Sequence, residues 1–579
     1  MKEVRLASHW LAGWCGGPTL ACRVGTRAGA GSSAGRRRRV ETRRGTHEFV
    51  RHNGNRLVIL GLLLLACGLL GRAQAGRGST NAPLSSAASA ADVASVDQAT
   101  HDLEPRLQEF VKALTVVTAE AADRATPDKL IYEGAIPSML RQLDPHTQFF
   151  DPMQFDQLKQ MQESEQKGFG SVVSVGPGRV TFLQTLPGTP SNRAGIMPGD
   201  DLVAINNISI APLDAQQVIE LLTEARQQKV TLFIRRQDSV RILQFTLSPE
   251  LVDQPSVDRA FLLEPGYGYV RVAAWDVPTA KLLRDAIEKL GGGRLKGLVL
   301  DLRDNPGGLV KTAFDGAALF LKPGQRILTA KGRSGEGETA EVSLHATPYT
   351  FRLSVVINGK TASASEILAG ALQDHDRATI VGEPSYGKGL VQSVMPLSGG
   401  SGLALTTAFY YTPSGRSIQK PLRNSALSTT FSPEGVAGTI YKTDSGRPVT
   451  GGGGIMPDVR VEPERPTRFE GVLDSSGLMT EFATKYLQAH RPLPDSFEVT
   501  PDLLDDLRVD LSLKRIQPNL AEWTAERRWL SNRLKEEIVT QARGVDKGDE
   551  IHAQRDPQIR EALDALKAPA GKIESATPL

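Results

Sequence analysis

Apolar residues recur at helical spacing near both ends of the chain and at strand spacing between them. Leu103, Leu107, Phe110, Leu114 and Val117 lie three and four apart, the period of one helix face. A second helix is expected from Thr126-Pro127, where Thr caps and Pro takes the first helical position, running toward Leu140. It gives way to the turn Leu143-Asp-Pro-His-Thr147. Between 168 and 249, short β-branched runs at 172–175, 179–183, 230–235 and 241–247 alternate with Gly/Pro turns. One helix interrupts them, capped by Asp214, with Val218, Leu221, Leu222 and Ala225 on its apolar face. From 267 onward, runs at 269–272, 298–302 and 354–357 alternate with helical segments, the pattern of an α/β layer. After 463 the period is helical again. Leu530, Leu534 and Ile538 form one stripe; Ile559, Leu563 and Leu566 form another, opened by Asp556-Pro557.

These patterns divide the chain into a basic extension (1–56), an apolar export or anchor segment (57–75), a linker (76–99) and a helical region (100–160). A β-rich module (165–250), an α/β domain (255–462) and a helical extension (463–579) follow. At about 150 residues per domain, 579 residues suit three or four domains. With 40% apolar and 23% charged residues, the chain is neither wholly disordered, nor collagenous, nor a polytopic membrane protein.

Charge is distributed unevenly. Residues 1–56 carry twelve Lys/Arg against three acids, whereas residues 76–579 sum to −7. A body of that charge has no electrostatic reason to bind nucleic acid. Cys15, Cys22 and Cys67 are the only cysteines. The body is therefore Cys-free, which excludes a Cys nucleophile, a Cys-based zinc site and a structural disulfide there.

An Arg-rich stretch ends at Arg56 and meets the 14-residue apolar run 57–70, followed by Ala73-Gln74-Ala75. Basic flank, short apolar core and A-x-A site describe a signal peptide, since a spanning helix needs about 20 residues. Leu64-Leu-Ala-Cys67 offers the alternative of lipid attachment at Cys67, and retention as a membrane anchor is the other. The expected location is exported, in a periplasm or on the outer face of an inner membrane. Residues 1–50 read as a gene start placed too far upstream, or else as a transit peptide to a plastid lumen.

Gly168-Phe169-Gly170-Ser171, the later Ala194-Gly-Ile-Met-Pro-Gly-Asp-Asp-Leu202 and the helix at 214–226 resemble a PDZ domain. In that family a Gly-rich loop, here Gly168, Phe169 and Gly170, turns its amides toward a peptide's C-terminal carboxylate. Glycine suits such a loop because no side chain obstructs the anion.

Three blocks in the α/β domain carry candidate chemistry: Asp301-Leu-Arg-Asp-Asn-Pro-Gly-Gly308, Asn358-Gly-Lys-Thr-Ala-Ser363-Ala-Ser-Glu-Ile-Leu-Ala-Gly370, and Val381-Gly-Glu-Pro-Ser-Tyr-Gly-Lys388-Gly-Leu-Val-Gln392. Alone, each has a plain structural use. Ser363 or Ser365 could cap a helix, Gly307-Gly308 could form a turn, and Lys388 could be a solvated loop lysine. Together they resemble the carboxyl-terminal processing (tail-specific) proteases, over roughly residues 100–462. The resemblance takes in Leu143-Asp-Pro-His, Gly266-Tyr-Gly-Tyr-Val270, Leu405-Thr-Thr-Ala-Phe-Tyr-Tyr411 and Gly454-Ile-Met-Pro-Asp458. It implies an α+β multidomain protein: an N-terminal helical segment, a PDZ domain, a crotonase- and ClpP-like α/β protease core and a helical extension. It also implies a serine/lysine dyad of Ser363 and Lys388, with Gln392 orienting the lysine and the N–H groups of Gly308 and Ala364 forming the oxyanion hole. Thr361 stands where serine is common, and residues 421–451 interrupt the usual order.

The chemistry is consistent with that reading. A serine hydroxyl needs a base; an amine of reference pKa about 10.4 is charged at neutral pH, but burial disfavours the charge and lets a lysine accept a proton. No metal or organic cofactor is required. A rival Ser/His/Asp triad through His375, in Gln373-Asp-His-Asp376, fails on distance, because His375 lies about three helical turns, roughly 18 Å, beyond Ser363. His146 reads as structural. The expected partners are proteins or peptides with apolar C-termini, an adaptor or a second copy being further candidates. The competing classes are a non-catalytic PDZ scaffold, against which Ser363, Lys388 and Gln392 argue, and an acyl-thioester enzyme, which leaves the PDZ unexplained.

Overall fold

The computed structural model describes residues 90–568, apart from 163–164, 177, 237–238, 254, 333–336 and 422–437. The basic extension, the apolar run, the A-x-A site and the cysteines lie outside those residues. Among the described residues no helix is long and apolar enough to cross a membrane.

Helix α1 (Ala90–Glu120) starts inside the stretch read as linker. Its first residues are Ala-rich, and alanine is the strongest helix former. The apolar stripe of this helix is exposed, with Leu103 at 48% and Leu107 at 56%. The next helical run opens where Thr126 Oγ1 accepts from Lys129 N–H (3.4 Å). It passes through a π-helical turn, Lys129–Ala135, into α2 (Ile136–Arg141). Pro137 lacks an N–H and cannot bond back to the preceding turn, which accounts for the irregular register there. Strand β1 (Gln148–Phe150) and α3 (Pro152–Gln162) complete this region.

In the β-rich module, β2 (Glu165–Gly168) pairs with β9 (Glu250–Asp253) at the base. Strands β3 (Ser171–Gly176), β4 (Arg179–Thr185), β5 (Asp201–Ile205), β7 (Val230–Arg235) and β8 (Leu243–Leu247) form one antiparallel sheet in that order, with β6 (Ile208–Ser209) on β5. Strand β7 alternates buried and partly exposed residues, as expected of a sheet with one covered face. Helix α4 (Ala215–Ala225) covers it, closed by a capping box of Asp214 and Gln217. Strand β5 escaped the sequence reading because it lies within the Gly-Asp-Asp-Leu turn signal.

The α/β domain is built on a sheet of β10 (Val257–Glu264), β11 (Tyr267–Val272), β12 (Gly297–Asp301), β15 (Arg352–Ile357), β16 (Thr379–Gly382) and β19 (Val459–Arg460). Only β10/β11 is antiparallel. All five residues of β12 are buried, which is why its sequence runs apolar without alternation. Helices α5 (Thr279–Leu290), α6 (Val310–Ala317) and α7 (Ala364–Asp374) connect these strands, and every residue of α7 is buried. A second sheet places β1 beside β18 (Gly402–Tyr411), then β13 (Arg326–Gly332) and β14 (Glu338–Glu341), with β17 (Leu390–Pro396) also on β18. It therefore brings the Asp-Pro-His turn to β18, the strand that also pairs with β17 after Lys388.

The extension holds α8 (Arg468–Ser476), α9 (Leu478–Ala489), α10 (Pro501–Leu513), α11 (Leu520–Ala525), α12 (Arg527–Arg543), α13 (Val545–Ala553) and α14 (Pro557–Lys567). Its own core includes Leu507, Leu511, Leu530, Leu534 and Ile538. The second stripe packs elsewhere: Ile559, Ala562, Leu563 and Leu566 lie on Tyr269, Val299, Val356 and Val381 of the main sheet. The extension also touches the β-rich module, through Arg179–Glu481 (2.7 Å) and Val545 N–H to Gln184 Oε1 (3.1 Å).

Candidate active site

Strand β15 ends at Ile357, and the chain turns through Asn358–Thr361 before α7 begins. Thr361 Oγ1 donates to the Leu302 carbonyl (2.8 Å) and accepts from Asn358 N–H (3.0 Å), pinning this turn to the end of β12. The threonine thus serves with its hydroxyl, the group it shares with serine.

Ser363 sits at the turn into α7 with φ +56° and ψ −117°. A non-glycine residue there costs on the order of 1–3 kcal/mol and persists only where its surroundings impose it. Its N–H donates to Glu366 Oε2 (2.8 Å). Its Oγ is buried and has no hydrogen-bond partner among the described residues. Ser363 and Glu366 stand in the arrangement of a capping box, yet the Oγ completes no cap hydrogen bond. The second serine of the block is engaged: Ser365 Oγ accepts from Trp275 Nε1 (2.9 Å).

Glu366, fully buried, joins the Ser363 and Lys388 blocks. Its Oε2 accepts from the N–H of Ser363 and also of Lys388 (2.9 Å). Its Oε1 accepts from Gly387 N–H (2.7 Å) and Ser385 Oγ. Burial pushes this carboxyl up from its usual range, and these donors pull against that rise. One oxygen shared between two main-chain N–H groups brings Ser363 and Lys388 together across 25 positions of sequence. Tyr410 adds a second tie, its hydroxyl reaching the carbonyls of Lys388 (2.8 Å) and Ser363 (3.3 Å). The sequence reading gave no role to either residue. Glu366 had a signal, the Ser-x-x-Glu capping pattern; Tyr410 had none in spacing.

Lys388 is 5% exposed and Gln392 1%. Lys388 Nζ donates to Gln392 Oε1 (2.9 Å), and Gln392 Nε2 donates to the His146 carbonyl (2.7 Å). The His146 ring is held down at about 4, first by burial and then by Lys388, against the pull of Asp144.

Gly307 and Gly308 bring the β12 loop against Ser363. A Cβ on Gly307 (φ +106°) would lie 2.8 Å from Ser363 Cβ, and one on Gly308 (φ +150°) 1.9 Å from the Trp275 carbonyl oxygen. Only glycine fits either position. Buried Asn305 shapes the loop, donating to Val272 O (2.8 Å) and accepting from Gly307 N–H (2.9 Å). Ala364 N–H belongs to the first helical turn, where donors have no intrahelical partner.

His375 lies at the far end of α7. Its ring nitrogens pair with Asp444 Oδ2 and the Arg326 carbonyl, each at 2.7 Å, away from Ser363. In the β-rich module, Gly168 ends β2, and Gly170 (φ +69°) leaves no room for a Cβ, which would meet Thr189 Cβ at 2.2 Å. The Phe169 and Gly170 carbonyls accept from Ser191 and Leu186 N–H (2.9 and 2.8 Å), fixing the loop that leads into β3 beside α4.

A family model for peptidase family S41 matches residues 266–423, and a PDZ-domain model matches residues 183–236. The carboxy-terminal-processing protease of Bartonella bacilliformis is 32% identical over 348 residues, covering 59% of this chain and 72% of that protein. The carboxyl-terminal-processing protease of a Synechocystis species is 36% identical over 293 residues, 49% of this chain and 68% of that one. The chloroplastic carboxyl-terminal-processing peptidase 2 of Arabidopsis thaliana is 36% identical over 302 residues, 49% of this chain and 58% of that one. With its PDZ domain, its α/β core and its helical C-terminal region, this chain belongs to the carboxy-terminal processing proteases of peptidase family S41, serine peptidases that hydrolyse peptide bonds.

Proposed function

We propose that Ser363 and Lys388 form the catalytic dyad and that the PDZ domain selects substrates by their free C-termini. The observation that carries the reading is the buried Ser363 Oγ, without a partner on a strained backbone, tied through Glu366 to a lysine that is itself 5% exposed. An ammonium is disfavoured where water is excluded, so the lysine works as the neutral amine. It takes the Ser363 proton as Oγ attacks the scissile carbonyl, and the N–H groups of Gly308 and Ala364 stabilise the oxyanion. The proton passes to the leaving amine, and water, activated by the same lysine, hydrolyses the acyl-enzyme. Gln392 holds the lysine. Gly168, Phe169 and Gly170 take the substrate carboxylate, with its apolar tail beside β3 and α4. The body works outside the cytoplasm, with its mature end near Gly76 or, if lipidated, at Cys67.

The test is cleavage of an unfolded, apolar-tailed protein. Lys388→Ala and Lys388→Arg should be as inactive as Ser363→Ala, because members of one catalytic unit are not additive and guanidinium stays protonated. An active, folded Lys388→Ala would overturn the dyad. Amidating the substrate C-terminus should lower turnover substantially; equal cleavage of amide and acid would remove the PDZ as selector. A wild-type chain that binds the tail and cleaves nothing would be a scaffold.

A further inference from the structure

A glutamine amide can present either end to an amine, and the two ends have opposite effects on a base. With Oε1 toward Lys388 Nζ, the amide occupies an N–H and leaves the nitrogen lone pair to point elsewhere. With Nε2 toward it, the amide donates to that lone pair and blocks it.

The far side of the amide decides which end faces the lysine. Gln392 Nε2 donates to the His146 main-chain oxygen (2.7 Å), which can only accept. A flipped amide would set two acceptors against each other in a buried site, losing a hydrogen bond there. The His146 carbonyl is itself held by a side-chain-closed turn. Asp144 Oδ1 accepts from the N–H of His146 (2.7 Å) and of Thr147 (2.8 Å), and Oδ2 from Thr147 Oγ1 (2.6 Å). Thr147 Oγ1 accepts from Thr406 N–H (3.2 Å), and Thr406 is the residue of β18 that Gln392 faces in β17. Turn and glutamine are thus registered on one strand. The β17 ladder is irregular between Val391 and Gln392, as at a bulge that re-aims a side chain. Asp144 is 1% exposed, Thr147 5%.

We infer that the Asp144–Thr147 turn is a positioning element of the protease: it fixes the Gln392 amide, and through it the direction of the Lys388 lone pair, with Asp144 as the positioning residue. The His146 ring is not the contact; its peptide oxygen is. The inference rests on the dyad proposed above.

The test is a set of steady-state kinetics on the whole chain, with folding checked by circular dichroism. Asp144→Ala should lower kcat by about tenfold to a hundredfold, the scale of a small misplacement, with KM within about twofold. Asp144→Asn keeps an acceptor for both N–H groups and should recover most of the loss. His146→Ala keeps the peptide oxygen and should stay within about fivefold of wild type. In a Gln392→Ala background, Asp144→Ala should cost less than about twofold more, because the turn then has nothing to hold. If Asp144→Ala does not fold, Thr147→Val tests the same turn. Folded Asp144→Ala or Thr147→Val with wild-type kcat would overturn the inference. So would an Asp144→Ala effect of the same size with and without Gln392, or a His146→Ala variant as dead as Lys388→Ala. Activity surviving in Lys388→Ala would instead remove the dyad.

Discussion

At its N-terminal end, α7 carries a serine whose hydroxyl is buried without a partner on a backbone of φ +56°. At its C-terminal end, His375 has both ring nitrogens bonded, to Asp444 and to the Arg326 carbonyl. The neighbours of that end are paired as well: Arg416 reaches Gln373 Oε1 and Asp374 Oδ1, both at 2.7 Å, and Arg447 joins Asp376 and Asp458. Both ends are polar groups buried against one helix, so burial alone does not separate chemistry from architecture. Positive φ does not separate them either, since Asp376 has φ +50° beside +56° at Ser363, and Arg416 Nε is also unpartnered among the described residues. What separates them is the group left over: a hydroxyl with no partner at one end, against a histidine and carboxylates that are all hydrogen-bonded or ion-paired at the other. A histidine beside acids is a tempting catalytic group by sequence, yet it lies at the end that holds the fold.

Four substitutions or titrations break or sharpen this contrast. The largest effect belongs to Glu366→Ala, which strips acceptors from Ser363, Lys388, Gly387 and Ser385 together. Turnover should fall on the order of 10²–10⁴-fold as Ser363 and Lys388 separate, with urea unfolding shifted by about 3 kcal/mol or more. Arg416→Met at the opposite end should destabilise by about 3–5 kcal/mol, because it leaves Asp374 buried and unpaired. In the folded fraction its kcat/KM should be unchanged, and a catalytic defect there would erase the distinction. Acidification comes next. The His146 ring titrates near 6.5 when unfolded and at about 4 when folded, so between those values only the unfolded chain binds the proton. Its contribution is complete above pH 6.5 and is lost on the way down to pH 4, by about 3 kcal/mol. Urea midpoints across that range should slope less in His146→Gln. The smallest effect is His375→Ala, with kcat/KM within about twofold and about 1 kcal/mol of stability lost. An inactive His375→Ala beside an active Lys388→Ala would reverse the assignment of the two ends.

Much of this protein was legible in the chain because the signals are local. The Asp214 and Asp556 caps, the 530–538 stripe and the parallel strands each depend on neighbours a few residues away, and they stand where the sequence places them. So do Ser363, the glycine pair and Lys388, whose blocks carry their own turns. The α1 stripe shows the limit of such reasoning: periodicity names a face, and only packing says whether anything covers it, which here leaves Leu103 and Leu107 exposed. The ties that assemble the site were beyond local reading. Tyr410 reaches Ser363 and Lys388 through sheet register, Glu366 gathers donors from a loop 19 to 22 positions away, and Gln392 meets a carbonyl 246 positions earlier in the chain. The sequence by itself determined which groups could react and which segments would be helix or strand, since those follow from side-chain chemistry and from spacings of two, three and four. Tertiary structure alone decided which hydroxyl stays unpartnered, which amide end faces the lysine and that the extension grips both PDZ and core, because a long-range hydrogen bond exists only once strand order and register bring its two ends together.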